Sequence, residues 1–379
     1  MLHYLHYLTD TFSPLRLFSY VTFRTLGAAG TAFAVSMLFG RPLIRRLRRM
    51  KLAPVERLGD VPALHATKRG KRDTPIGGGL LLLGSTLTAV FLWASPANVQ
   101  VRITAATMLF MGLIGAADDY RKLSRRNPHG LSARRKLVLQ VLWAVGVVAF
   151  LWSAESTRPL VNTLMLPFLK SPVIGALGWA GALLFGVLVL VGATNAVNLT
   201  DGLDGLAIGC SNAVAAAYLV MAYATGHVVF ANYLQIPYVP GSEELTVFCG
   251  ALLGAGLGFL WFNCHPAEVF MGDTGSLALG GAIAMVAMLI QQEITLLFVG
   301  GVFVMEAVSV ILQVGYFKLT GGRRIFRCAP IHHHFELVEK ERADREGRDI
   351  EVVETMITIR FWILSMIFAL IGIATLKLR

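Results

Sequence analysis

Long apolar stretches alternate with short polar ones along almost the whole chain. Apolar runs of about 20 residues can cross a bilayer as helices. Such runs lie near 22–40, 75–95, 99–117, 134–153, 174–194, 205–226, 246–262, 275–291, 294–317 and 357–376. The pattern predicts an all-α polytopic integral membrane protein of about ten transmembrane helices, organised as a single domain over 1–379. The least regular region is 174–226, where the motif N-A-V-N-L-T-D-G-L-D-G, from Asn195 to Gly205, interrupts two apolar runs. Polar groups at membrane depth are costly, and they persist where they line a wet cavity and do a job.

Composition strengthens this reading. The 379 residues are 55% hydrophobic and 15% charged, whereas a soluble domain carries roughly a quarter charged residues. The net charge of +11 would suit a nucleic-acid partner, but its placement argues for a membrane and no nucleic acid. Of 34 Lys and Arg, eleven lie in 41–73, seven in 119–136 and eight in 318–348. The loops near 96–98, 227–245 and 292–293 have none, and 154–173 has only Arg158 and Lys170. Basic loops stay on the cytoplasmic side. The cytoplasmic segments are then about 41–73, 118–136, 195–204, 263–274 and 318–356, and both termini face the periplasm. Cys210, Cys249, Cys264 and Cys328 fall in spans or on the cytoplasmic side, so no disulfide is expected. No removable signal peptide is evident at the start of the chain.

This topology gathers four polar clusters on one face. Asp118 and Asp119 close the third span. With Lys122 they could be a solvated helix end, or a divalent-cation site of the kind Mg²⁺ makes with carboxylates and substrate phosphates. Asn195, Asn198, Asp201 and Asp204 recur in steps of three, with Gly202 and Gly205 permitting a sharp break. Asp204 could cap the next span, but a cap needs one such residue and the segment has four. In F-N-C-H-P-A-E-V-F-M-G-D-T-G-S, Asn263 and Phe270 precede Asp273, which lies between two glycines at a helix start. Phe262 and Phe270 could stack a planar base or pack against core or lipid. His265 before Pro266 reads as a polar turn residue. His332, His333 and His334 are adjacent, and adjacent side chains diverge too far for one tight zinc site. They suit phosphate contact or proton movement.

Taken together and in order, Asp118-Asp119-x-x-Lys122, N-A-V-N-L-T-D-G-L-D-G, F-M-G-D-T-G-S, A-P-I-H-H-H-F-E and the closing R-F-W-I at Arg360 resemble the phospho-N-acetylmuramoyl-pentapeptide transferase family. The acidic motifs are shared with the wider polyprenyl-phosphate N-acetylhexosamine-1-phosphate transferase superfamily, and the triple histidine marks the muramoyl-pentapeptide branch. The resemblance implies transfer of a phospho-sugar from UDP-MurNAc-pentapeptide to undecaprenyl phosphate in the bacterial inner membrane, with Mg²⁺, giving lipid I and UMP. It implies Asp273 as the main Mg²⁺ ligand, with Asp118 and Asp119 preparing the acceptor phosphate or helping to hold the metal, and Asp201 as a further candidate ligand. It implies a nucleotide pocket shaped by Asn195, Asn198, Asp201, Gly202, Asp204 and Asn263, with Phe270 on uracil. Lys122 and Lys136 would bind phosphates, and His332, His333 and His334 would serve the sugar-phosphate end or proton movement.

Two departures from the family pattern stand out. The family has a lysine shortly before a T-P-T-M-G-G run. This chain reads K-R-G-K-R-D-T-P-I-G-G, so Lys68 and Lys71 compete for that role. The segment after the histidines, Glu339 to Glu354, is longer, more charged and without the expected tryptophan, a composition that favours disorder. Rival readings are a sister transferase of N-acetylglucosamine phosphate and an ion-coupled transporter, whose site would lie at mid-bilayer between repeated halves. A homodimer is compatible with the sequence but not specified by it.

Overall fold

A computed structural model describes residues 1–50, 74–124 and 130–378. Lys68 and Lys71 lie outside the described residues. Two short 3₁₀ helices, Leu2–Leu8 and Ser13–Ser19, precede the helical body. The α-helices follow in order as α1 Val21–Arg49, α2 Gly79–Trp93, α3 Val99–Ser124, α4 Ala133–Ser153, α5 Pro159–Asn162, α6 Gly178–Thr200 and α7 Leu206–Gly226. They continue as α8 Val228–Leu234, α9 Glu243–Asn263, α10 Gly272–Leu289, α11 Thr295–Val299, α12 Gly301–Leu319, α13 Ile331–Glu346 and α14 Glu351–Ala374. Among the described residues nine helices are long and apolar enough to cross a membrane. The expected span 75–95 corresponds to the shorter apolar helix α2, of 15 residues, so nine of the ten expected spans have full spanning length.

The expected span 294–317 is divided at Gly300 into α11 and α12. Gly301 follows, and a Cβ there would come within 2.7 Å of the Phe368 ring. Close approach of α14 thus requires a glycine where the helix breaks. The charged segment 339–354 departs from the disorder its composition favours. It continues α13 to Glu346, which ends at Gly347 in the left-handed conformation, and it turns into α14. Leu337, Lys340 and Ala343 are buried there, so a one-sided stripe anchors an otherwise charged helix.

At the centre stands α10. Every side chain from Thr274 to Leu289 is buried. Its sequence, GDTGSLALGGAIAMVAML, is apolar all round, as an enclosed helix must be. Small residues let α2, α3 and α6 close on it. A Cβ on Gly79 would lie 2.2 Å from the Gly275 nitrogen, and one on Gly280 would lie 2.6 Å from the Thr194 Cα. Without a hydrophobic drive inside lipid, such backbone contact holds helices together.

The end of the bundle away from the polar clusters has its own clamp. Arg24 on α1 donates to both carboxylate oxygens of Glu244 on α9, at 2.8 and 2.6 Å. The Ser95 N–H donates to the same carboxylate at 2.9 Å. Both charged residues are buried. Removing one partner strands the other, so Glu244→Ala should destabilise the fold by about 3–5 kcal/mol. Thermal unfolding in detergent, compared with wild type, measures this loss.

Candidate active site

Backbone geometry brings the acidic motifs together. Gly272, in the left-handed conformation, turns the chain into α10. The first N–H groups of that helix need acceptors. Asp119, at the end of α3, supplies them. It accepts from the N–H of Asp273 at 3.2 Å, the N–H of Thr274 at 3.0 Å and the Thr274 hydroxyl at 2.7 Å. Gly115, one turn earlier on α3, lies against the same place, and a Cβ there would sit 2.1 Å from the Asp273 carbonyl oxygen. A short parallel bridge between Ile76 and Phe270 ties the segment before α2 to this turn. The Gly77 and Gly78 N–H groups donate to the Phe270 carbonyl, at 3.2 and 2.9 Å.

Asp118, Asp119 and Asp273 each place one carboxylate oxygen within 4.8 Å of the other two. Two lysines hold this charge together. Lys122 Nζ lies 2.5 Å from Asp118, 3.3 Å from Asp273 and 3.9 Å from Asp119. Lys136, from α4, bonds Asp273 and sits 3.9 Å from Asp118. The Leu131 N–H donates to the other Asp118 oxygen at 2.7 Å. Asn198 donates to Asp273 at 3.1 Å and to the Ser276 hydroxyl at 2.8 Å, so the α6 motif and α10 share one carboxylate.

The rest of the α6–α7 motif divides in two. Asn195 donates to Gln140 on α4 at 2.7 Å, which braces the helix pair one turn before Asn198. Asp201 lies in the turn after α6, half-buried. Burial, then the negative charge of Asp273, Asp119 and Asp204, pushes its carboxyl up to about 8. Asp204 does not cap α7. That place belongs to Gly205, in the left-handed conformation and without a side-chain cap. Asp204 instead accepts from the Ala267 N–H at 3.2 Å and pairs with His265 at 3.0 Å. Its own N–H donates to Glu354 on α14 at 3.0 Å. His265 is therefore a turn residue with a partner. Asn263 bridges two backbones, accepting from the Gly205 N–H at 3.2 Å and donating to the Val269 carbonyl at 2.9 Å. Phe262 is buried against α1, in keeping with a packing role, whereas Phe270 is only half-buried.

The three histidines take three different partners, although the His332 and His333 rings do not diverge and lie 4.2 Å apart. His332 is fully buried, with Nδ1 3.1 Å from Glu306 on α12. A Cβ at Gly202 would lie 2.2 Å from its Nε2. His333 is half-buried and pairs with Glu336 at 2.9 Å. His334 Nδ1 accepts from the Arg327 N–H at 3.3 Å. Burial and the Arg327 charge lower its pKa. Sequence reasoning missed Glu306, Glu336, Glu354 and Thr274 as partners. Glu306 had a signal, since a lone carboxylate in an apolar span is costly unless paired.

Glu336 offers a direct electrostatic test. Burial works against its charge, but hydrogen bonds from His333 and Lys340 outweigh burial and hold its carboxyl down at about 2. A depressed carboxylate stabilises the fold above its unfolded value of about 4.3 and loses that contribution as pH falls toward the folded one. Glu336→Gln should therefore melt below wild type at about pH 6 by the equivalent of about 2–3 kcal/mol. The gap should close progressively between about pH 4 and pH 2. Melting curves of both proteins across that range provide the check.

Residues 101–291 match the profile of glycosyl transferase family 4. Over its full length the chain is 48% identical to the phospho-N-acetylmuramoyl-pentapeptide-transferase of Desulfotalea psychrophila, covering 99% of that protein. It is 46% identical to the protein of that name from Methylacidiphilum infernorum, with 100% of both chains covered. The Syntrophus aciditrophicus protein of the same name is 47% identical, with 100% of this chain and 99% of the relative covered. The chain belongs to the phospho-N-acetylmuramoyl-pentapeptide-transferase family. In this family setting the chain is a multi-pass membrane protein of glycosyl transferase type.

Proposed function

We propose that the protein transfers phospho-N-acetylmuramoyl-pentapeptide from UDP-MurNAc-pentapeptide to undecaprenyl phosphate, releasing UMP and forming lipid I. The observation that carries this reading is the Asp118, Asp119, Asp273 cluster threaded by Lys122 and Lys136 at helix ends. A soluble, highly charged donor needs a wet approach, and a lipid phosphate needs a site at the bilayer interface. Helix ends facing the cytoplasm of the inner membrane meet both needs, with both termini periplasmic. A carrier's site would lie nearer mid-bilayer.

The all-oxygen, carboxylate-only cluster fits Mg²⁺, a hard cation that takes one or two carboxylates plus substrate phosphates. Asp273 would hold it, aided by Asp118 or Asp119, and Asp201 stands one residue beyond the α6 end. Bound there, Mg²⁺ supplies charge stabilisation to the pyrophosphate. The chain's residues do the positioning that phosphoryl transfer chiefly requires. Lys122 and Lys136 exchange carboxylate partners for phosphate oxygens. Asn198 holds the Asp273 carboxylate in one orientation. Half-buried Phe270 stacks on uracil, and Asn195 and Asn263 brace the pocket wall rather than face it. His333 and His334 meet the sugar-phosphate end.

The reaction is a single displacement. An oxygen of undecaprenyl phosphate attacks the sugar-side phosphorus, the bond to the UMP oxygen breaks, and UMP leaves with that electron pair. Asp119 is committed to the α10 backbone and Asp118 to Leu131 and Lys122, which disfavours either as a covalent nucleophile.

The test is transfer of radiolabelled phospho-muramoyl-pentapeptide to undecaprenyl phosphate by purified protein. Label should enter the lipid phase with Mg²⁺, stop with chelator, and resist competition by UDP-N-acetylglucosamine. Absence of label under saturating substrates, or effective competition, would reject the assignment.

A further inference from the structure

Glu306 and His332 form a pair that substrate chemistry at the carboxylate cluster does not call for. Glu306 sits near the start of α12, and His332 is the second residue of α13. Both are completely buried. His332 Nδ1 lies 3.1 Å from the Glu306 carboxylate. The second oxygen of Glu306 and the Nε2 of His332 are both buried without a hydrogen-bond partner. A structural ion pair would be expected to use these atoms, because leaving them unmade costs about 1–3 kcal/mol each.

The direction of Nε2 gives the pair a purpose. It occupies the space a side chain on Gly202 would need, so that any Cβ there would collide with it. Gly202 is exposed and lies in the turn between Asp201 and Asp204. A single glycine therefore separates this nitrogen from the wet side of the site. A carboxylate can only accept. Facing Glu306, Nδ1 must carry a proton, and in the neutral ring Nε2 is left as a bare acceptor aimed at the turn.

We propose that Glu306 is a positioning residue. It fixes the tautomer and ring orientation of His332 from behind, so that Nε2 meets the substrate-bearing turn as an acceptor. The proposal rests on the transferase reading given above. It assigns to a lipid-facing helix, α12, a share in ordering the site.

Glu306→Gln tests it, because a carboxamide can accept from Nδ1 or donate to it and so no longer dictates the tautomer. The variant should lose about 10–100-fold in kcat, the range typical of groups that orient a functional imidazole. KM for both substrates should stay within about twofold, since the substituted residue, Glu306, is fully buried behind His332 and makes no contact with substrate itself. In a His332→Gln background, adding Glu306→Gln should cost nothing further, because the two act as a unit. Losses that simply multiply, or a loss confined to KM, would overturn the proposal.

Nitrogen-15 spectra of histidine-labelled wild-type protein supply a readout independent of turnover and of any variant's folding. A His332 signal with Nδ1 protonated and Nε2 bare supports the proposal. The reverse tautomer overturns it, even if lipid-linked product forms. A correct tautomer in a protein without transferase activity would sink the functional reading and leave the pairing intact.

Discussion

Asp273→Asn is expected to cut turnover by at least about a thousandfold while leaving the protein folded, because the group proposed to hold the metal loses its charge where electrostatic stabilisation dominates the barrier. The carboxamide keeps the shape of the side chain. It forfeits the two ammonium partners, Lys122 and Lys136, and accepts from Asn198 less strongly. The helix itself should survive, since its first N–H groups are satisfied by Asp119 and not by Asp273. Melting temperature in detergent should therefore move little. Lipid-linked product, measured with saturating acceptor, should fall to near background. Activity within about tenfold of wild type would remove Asp273 from the reaction centre.

The second large effect is expected from a single methyl group. Gly115→Ala places a Cβ 2.1 Å from the Asp273 carbonyl oxygen, 2.3 Å from its carbon and 2.5 Å from the Thr274 nitrogen. All three are backbone atoms, so no rotamer change can relieve the clash. Helices α3 and α10 must separate at the point where Asp119 meets Asp273. Overpacking of this kind costs about 1–3 kcal/mol. A displacement of about 1 Å at reacting groups can cost about 100-fold in rate. The control lies one turn away. A Cβ on Gly112 meets only Leu83 and Ala278 side chains, at 3.0 Å and beyond. Gly112→Ala should keep most activity. Parallel rate and melting measurements on the two variants separate the effects, and equal behaviour would show that the crossing tolerates both.

Much of this arrangement could be read from the chain. Ten apolar runs gave the helices, and the three acidic motifs at helix ends came together. Short-range spacing could not reveal what each side chain faces. Asn263 carries the look of a ligand but clasps two backbones. Asp204 looks like a cap, yet it serves a turn and α14. The segment after the histidines is highly charged, but its helical stripe of Leu337, Lys340 and Ala343 was enough to order it. Glu306 lies in an otherwise apolar run and its partner comes 26 residues later, a pairing only the packed fold supplies. Lys122 and Lys136 were legible as cations near acids, though not as the counter-charges that hold the cluster together.

The proposed reaction centre hangs on the most enclosed of the described spans, not on a peripheral loop. With every residue from Thr274 to Leu289 walled in, Asp273 is mounted on an axle whose bearings are glycine contacts from three neighbours. Softening of the outer rim, by heat or by a thinner bilayer, would be felt last at the hub. Substrate range can drift through the outer turns while the phosphate chemistry stays fixed to its shaft.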